Sequence, residues 1–364
     1  MEYVPPNLLK NLQRKHLFHS GELGFTQSIG NSDLLSGNVY WFAYARQALL
    51  HGMRFLKIKK GDKVLVPAYI CNVIESPFKE MGVEIEYFDS NWDLTPDFNL
   101  IESKITKNTK ALLWVNYFGF PAPFKQIKEF CDKHNLFFIE DNAHGFLSKY
   151  QGKWLGTIGD ISITSIRKSL PIVNGAILRI NNKAIFQKHS YQLEKLHHAD
   201  SLIKYVRNYL LWYFKSKGMI NKRSDRNSQD HVVYDFGNSL VQFPDPILDI
   251  RINSITLIII KSLNYEIFYL NRRRSVERVN KFIKILEKYS FSSLFNNIPK
   301  GTIPLQIPLI WQEEEKRMKE VLRYFNRYGV EAFYWPDLPD CVVRNNQKYQ
   351  IANRLRNKLL HFPI

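Results

Sequence analysis

Asp141, near the end of the apolar run LFFIEDNAH, and Lys168, just beyond the second run in TSIRKSLP, stand 27 residues apart in the chain. A lysine amine can bond to an aldehyde, and burial or a neighbouring cation makes it a better nucleophile by depressing its pKa. A carboxylate set against a pyridine nitrogen keeps that ring protonated and electron-withdrawing. Together the two groups suit pyridoxal 5'-phosphate, which uses both. The plainer alternatives stay open on these residues alone. An acidic pair closing a strand also serves as a solvated end or a helix cap, and a single lysine among 51 Lys and Arg is most often a surface charge.

Such groups need elements to hold them. From Lys63 the chain reads KVLVP, VEIEYF, KALLWVNYFG and LFFIED, with stretches of helical period between. This alternation predicts an α/β domain with a mostly parallel sheet sandwiched by helices. In FKQIKEFCDKH the residues Phe124, Ile127, Phe130 and Cys131 share one face, as in an amphipathic crossover helix. Ligands of such sheets bind beyond the carboxyl ends of the strands. Pro67-Ala68-Tyr69, Asn116-Tyr117-Phe118-Gly119 and Glu140-Asp141 are all predicted strand ends.

An anion site is also legible. YARQAL opens a segment in which Ala45, Ala48, Leu49, Gly52, Met53 and Leu56 mark one helical face. A small residue at a helix start lets backbone N–H groups approach a phosphate, and Arg46 adds charge. Ser165 offers a hydroxyl three residues before Lys168. An ordinary first helix with a solvated arginine, and an unremarkable strand-end serine, account for the same residues.

With these blocks in order, YARQAL, GDKVLVPAYICN, TKALLWVNYFG, IEDNAH and GTIGDISITSIRK, the chain resembles the DegT/DnrJ/EryC1/StrS sugar aminotransferases. These are pyridoxal phosphate enzymes with the aspartate aminotransferase-like fold, termed fold type I. The similarity continues into PLQIPL, RYGVEAFYWPDLP and RLRNKLLHFPI. By position, the resemblance implies that Asp141 meets the pyridine nitrogen and His144 lies beside the ring hydroxyl. It implies that Ala45, the Arg46 amide and Ser165 hold the phosphate. Lys168 would bond to the cofactor and carry the proton. As a residue in its own right, His144 equally suits a structural histidine at a strand-to-loop junction.

Three positions depart from the family pattern. The lysine follows the serine as Ser-x-x-Lys, where the family's usual count reaches Leu170. The glycine-rich run after the lysine is reduced to Asn174-Gly175-Ala176, and Asp249 stands where the family uses an asparagine on the partner's phosphate. QFPDPILDI breaks the chain with two prolines near Asp245 to Asp249 and divides it into a large domain over residues 1–247 and a small α+β domain over 248–364, the latter with an apolar run and a long helical pattern to Lys288, the strand PLQIPLI, a helix and the strand VEAFYW. The resemblance further implies a homodimer and additional C-terminal residues. The expected reaction moves an amino group from an amino acid, with glutamate as donor, to a keto sugar that is expected to be nucleotide-linked. Surface polysaccharide or related glycan synthesis is the expected setting. A dehydratase or eliminase of the same fold, or a non-catalytic basic homologue, are the alternatives.

Composition bounds the rest. With 45% hydrophobic and 14% aromatic residues the chain can bury a large core. Cys71, Cys131 and Cys341 show no CxxC spacing, which points to a reducing cytoplasm. The longest apolar run, Ile255 to Ile260, is far below the roughly 18 residues of a membrane span, so no stable membrane insertion is expected. The ten histidines form no metal-ligand spacing. The net charge of +17, from 51 minus 34, is dense in FKSKGMINKRSDR and NRRRSVERVNK. Without a nucleic-acid motif, such runs read as solvated or interface faces, or as steering for an anionic substrate.

Overall fold

β-branched and aromatic runs form the strands of the computed structural model, which describes residues 34–188 and 252–363 apart from positions 171, 173, 328, 329, 331, 333, 335 and 336. The first nine strands are β1 (Val39–Phe42), β2 (Lys63–Pro67), β3 (Glu84–Phe88), β4 (Thr109–Val115), β5 (Phe137–Asp141), β6 (Lys149–Tyr150), β7 (Lys153–Trp154), β8 (Ile161–Ser165) and β9 (Ala176–Ile180). Seven of them make one sheet in the order β1-β9-β8-β5-β4-β2-β3, while β6 and β7 pair separately. From β3 to β8 every pairing is parallel, and β9 is antiparallel to both of its neighbours. The parallel part agrees with the sequence pattern. β1 and β9 extend it on the β8 side.

The inner strands are buried on both faces, as a helix-covered sheet requires: all five residues of β8 and of β9 lie inside, while the edge strands β1 and β3 are only partly covered. Helices α1 (Ala45–Phe55), α2 (Glu75–Met81), α3 (Phe98–Glu102), α4 (Phe124–Lys133) and α5 (Lys183–Lys188) accompany them. In α4 the buried residues are Phe124, Ile127, Phe130 and Cys131, the face read from the sequence. Fully burying each large apolar side chain contributes about 1.5–3 kcal/mol, so Ile127→Asp is the single change that would detach this helix. In α1 burial is wider than one stripe, since Gln47, Leu50 and His51 are also covered. Gly52 permits this close approach, because a Cβ there would lie 2.6 Å from Ile161 Cδ1 on β8.

The C-terminal part contains α6 (Ser254–Ser262), α7 (Tyr265–Leu286), β10 (Phe291–Ser293), β11 (Gln306–Trp311), α8 (Glu315–Arg327), α9 (Asp340–Arg344), α10 (Gln350–Lys358) and β12 (Leu359–Pro363). The long helical pattern up to Lys288 is thus two helices. Asn264 separates them by accepting the Ile267 N–H as an N-cap, at 3.1 Å. β10, β11 and β12 form an antiparallel sheet, with Phe291, Trp311, Phe325 and Phe362 packed around it. The domain boundary expected at 247/248 and the 215–226 basic run lie outside the described residues, as does part of the strand expected at VEAFYW.

The two parts share contacts at the strand edge. Ser148 Oγ donates to Ile303 O at 3.0 Å and accepts from Ile303 N at 2.9 Å. Asp89, which follows β3, accepts the Ile351 and Ala352 N–H groups at the start of α10, at 2.7 and 2.9 Å. Val342, Ala352 and Leu355 join the same core as β2, β4 and β5. No helix among the described residues is long and apolar enough to cross a membrane.

Candidate active site at the strand edge

The register aligns the expected residues along one edge. Val115 pairs with Asp141 across β4 and β5, Asp141 with Ile163 across β5 and β8, and Ser165 with Ala176 across β8 and β9. Phe42, at the end of β1, pairs with that same Ala176, which brings the start of α1 to this edge. It is where ligands of open α/β sheets bind.

Asp141 ends β5 and is buried, with Ala143 N–H donating to its Oδ1 at 2.9 Å. Its Oδ2 accepts no hydrogen bond among the described residues. Burial pushes the carboxyl's pKa up, opposed by the Ala143 N–H and the Lys168 charge, with the neighbouring Glu140 raising it further. Glu140 is fully buried and accepts four N–H groups: Asn116 Nδ2 at 2.9 Å, and the backbone of Gly156, Ile158 and Gly159 at 2.7, 2.9 and 3.0 Å. It ties the β4 end and the 156–159 turn to β5. Asn116 also donates to Asn142 Oδ1 at 2.9 Å, which fixes the loop leading to His144.

His144 lies between two named atoms. Its Nδ1 accepts the Phe118 N–H at 3.3 Å, and its Nε2 sits 3.0 Å from Lys168 Nζ. Burial holds the imidazole well below its ordinary pKa, with Lys168 and His361 adding to the effect. The Phe118 N–H reaches the ring because the chain turns sharply there: Phe118 has φ 57° and Gly119 φ 89°. Gly119 has no room for a side chain, since a Cβ would lie 2.9 Å from His144 O and 3.0 Å from Ile303 O. Leu305 N–H donates to Phe118 O at 2.7 Å, so the C-terminal part holds this turn.

Lys168 reaches His144 by a single 3-10 turn, Ile166–Lys168, that follows Ser165 at the end of β8. Ser165 is buried, and Leu170, the position given by the usual family count, is a buried core residue. The backbone then links this end to α1: Ile166 N–H donates to Gly175 O at 3.0 Å, and Gly175 N–H to Ala43 O at 2.8 Å. Ala45 and Arg46 open α1, whose first turn carries no acidic residue. Tyr44 precedes them, its N–H bonded to Gln47 Oε1 at 3.0 Å. Its ring lies 5.7 Å from the Arg46 guanidinium and 5.6 Å from that of Arg167.

Asp141, His144 and Lys168 therefore form one cluster, and Ala45, Arg46 and Ser165 arrive at adjoining ends of the same sheet edge. Asp249 lies outside the described residues. Sequence reading did not single out Phe118 as His144's donor, Glu140 as an internal anchor, or Arg167 beside Tyr44. The strand end NYFG was visible, but a phenylalanine gives no sign of a positive φ. Chemically, the cluster offers an amine, a neutral imidazole and a carboxylate with an oxygen to spare.

The DegT/DnrJ/EryC1/StrS aminotransferase family model matches residues 39–232. The chain is 38% identical over 140 residues to the GDP-perosamine synthase of Escherichia coli O157:H7, covering 36% of this chain and 37% of that protein. It is 34% identical over 104 residues to the GDP-4-keto-6-deoxy-D-mannose 3-dehydratase of Yersinia pseudotuberculosis, covering 28% and 26% respectively. In both cases the match covers well under two thirds of the relative's length. Among solved structures, Helicobacter pylori PseC, an aminotransferase involved in the biosynthesis of pseudoaminic acid, superposes with a TM-score of 0.62 at 17% identity, covering 100% of this chain and 91% of that one. That likeness shows the fold, the fold type I architecture of pyridoxal phosphate-dependent aminotransferases.

Proposed function

The chain belongs to the DegT/DnrJ/EryC1/StrS aminotransferase family, and from that membership we propose that it is a pyridoxal 5'-phosphate-dependent sugar aminotransferase. The observation that carries this reading is Lys168 Nζ held 3.0 Å from His144 Nε2 while its charge acts on the buried Asp141. The cofactor fits the residues present. Asp141 is a buried carboxylate whose ionised form is penalised by burial and whose Oδ2 accepts no hydrogen bond among the described residues. A protonated pyridine nitrogen supplies the missing donor and charge. The start of α1, free of acidic residues in its first turn, suits a phosphate.

On this reading Asp141 holds the pyridine nitrogen and His144 lies beside the ring hydroxyl. The Ala45 and Arg46 amides and the Ser165 hydroxyl hold the phosphate. Pyridoxal phosphate, when bound, supplies an electron sink. Lys168 Nζ holds the cofactor and then takes and returns the proton at the substrate carbon, which is general acid-base work. The amino donor is an amino acid, with glutamate favoured, and the acceptor is a nucleotide-linked keto sugar of the surface polysaccharide kind. The names of the GDP-perosamine synthase and of PseC support that class. The reading includes a cytoplasmic homodimer. Neither nucleic acid nor a membrane is among its partners.

The test is direct. Purified protein given pyridoxal phosphate should show a visible absorbance band that is lost in Lys168→Ala, and borohydride should fix the cofactor to Lys168, as located by peptide mass spectrometry. Glutamate should discharge the band, and a GDP- or dTDP-linked 4-keto sugar should then return as an amino sugar. A sugar that loses water and gains no nitrogen would assign the chain to the 3-dehydratase chemistry named for the Yersinia relative. A colourless protein would overturn the reading.

A further inference from the structure

Two guanidinium groups meet at one buried ring beside the strand edge. The ring of Tyr44, the residue before α1, lies 5.7 Å from the Arg46 guanidinium and 5.6 Å from that of Arg167. The arginines come from different elements, since Arg46 is the second residue of α1 and Arg167 is the middle residue of the 3-10 turn that ends in Lys168. Gly175 joins the two elements: its carbonyl accepts the Ile166 and Arg167 N–H groups at 3.0 and 3.3 Å, and its own N–H donates to Ala43 O at 2.8 Å. Arg167 is only 9% exposed. Ala45, Arg46 and Lys168 are partly open, while Phe42, Ala43, Tyr44, Gln47, Ser165 and Ile166 around them are covered. The chain therefore leaves an opening with one arginine on its rim and a second beneath.

A guanidinium keeps its proton in a protein, so this charge is permanent. The electron-rich face of a tyrosine attracts such cations, and here it holds both of them beside the first N–H groups of α1, the positive end of that helix. Three sources of positive potential thus converge, with no acidic residue in the first turn of α1. Coulomb attraction scales with the charge of the incoming group, so the opening favours a doubly charged anion over a neutral or singly charged one. The planar fork of an arginine also matches the oxygens of a phosphate.

Resting on the cofactor reading above, we propose that Arg167, together with Arg46, is a specificity-determining residue that makes this opening select a doubly charged phosphate group. The amides of Ala45 and Arg46 and the Ser165 hydroxyl are neutral donors. They orient phosphate oxygens but distinguish charge weakly. The two side-chain charges supply that discrimination, and Tyr44 fixes where they stand. The consequence is a large preference for pyridoxal phosphate over pyridoxal, which carries the same ring and aldehyde without the phosphate.

Arg167→Met keeps an unbranched apolar stem and removes the charge. Cofactor-free wild type should bind inorganic phosphate in a calorimetric titration, and Arg167→Met should weaken that binding by about 10–100-fold, the scale of hydrogen bonds to a charged group. The affinity for pyridoxal phosphate relative to pyridoxal, read by absorbance titration, should fall by the same factor, with Arg167→Lys in between. A purely structural role would weaken both compounds alike, and either that result or an unchanged ratio overturns the proposal. So does a wild type that binds no inorganic phosphate. A loss confined to GDP would also overturn it, giving the arginines to the diphosphate of the substrate instead. If Arg167→Met does not fold, Arg46→Met at the partly open position carries the same comparison. Should wild type bind inorganic phosphate through Arg167 yet take up no cofactor at Lys168, the aminotransferase reading falls and the anion site stands.

Discussion

Glu140 and Asp141 are consecutive residues of β5 with opposite surroundings: Glu140 accepts four N–H groups, and Asp141 accepts one. Strand alternation points them to different faces, so one carboxylate is used up by the protein and its neighbour is left to a ligand. Glu140→Gln would set an NH2 group against backbone donors, and we expect a loss of about 2–4 kcal/mol of stability, from unsatisfied buried donors. Chemical denaturation measures it. Asp141→Asn should leave stability nearly intact and weaken pyridoxal phosphate binding by roughly 10–100-fold, the scale of a hydrogen bond to a charged group, read by absorbance titration.

Gly119→Ala tests the turn beside the site. At φ 89°, and with a Cβ 2.9 Å from His144 O and 3.0 Å from Ile303 O, alanine brings both strain and overlap with backbone atoms. We expect a loss of about 2–4 kcal/mol, combining left-handed strain with overpacking, visible as a lower denaturation midpoint. An unchanged midpoint would mean that the turn relaxes freely.

Asp89→Ala tests how the C-terminal part is seated. It removes the acceptor of the Ile351 and Ala352 N–H groups and should cost about 1–2 kcal/mol, as helix-cap removals do. Amide hydrogen exchange at Ile351 and Ala352 should accelerate while that of β4 and β5 stays slow.

Acid should destabilise the fold through its buried histidines. His144 is held well below, and His361 is pushed down to about 3 from, the ordinary value of 6.5. Both take up protons more readily when unfolded, so their neutral burial is fully compatible with folding above pH 6.5 and opposes it as pH falls from there toward 3. At pH 5 the neutral burial of His361 costs about 2 kcal/mol. The raised carboxyls of Asp89 and Asp141 act oppositely, favouring the fold as pH falls toward their unfolded value of 3.8. His361→Phe should reduce the loss of stability between pH 7 and 5, as followed by urea titrations at each pH.

The parallel strands were legible because their apolar runs are short, dense and closed by polar residues, as LFFIED shows. β1 and β9 were harder to read: VYWF and AILRI lie just before and after the most conspicuous motifs, and their pairing is antiparallel in a sheet whose pattern otherwise signals crossovers. The helix break at Asn264 was hidden by continuous helical character on both sides. At the site, Asp141, His144 and Lys168 carried their own chemical identity, and the structure brings the last two into contact. What escaped was the backbone's share. The role of Phe118 depends on a dihedral angle, and three of the four bonds of Glu140 depend on a turn 16–19 residues away, neither of which a side-chain type announces.

The two peptide units flanking the Phe118 Cα face different parts of the chain, one giving its N–H to His144 and the next its carbonyl to Leu305. A single pair of dihedral angles sets the direction of one relative to the other. Lifting the 303–305 segment would therefore turn the amide that orients the imidazole, and the two bonds should open as one event. The amides of Phe118 and Leu305, though 187 positions apart in sequence, should then exchange with solvent at a common rate.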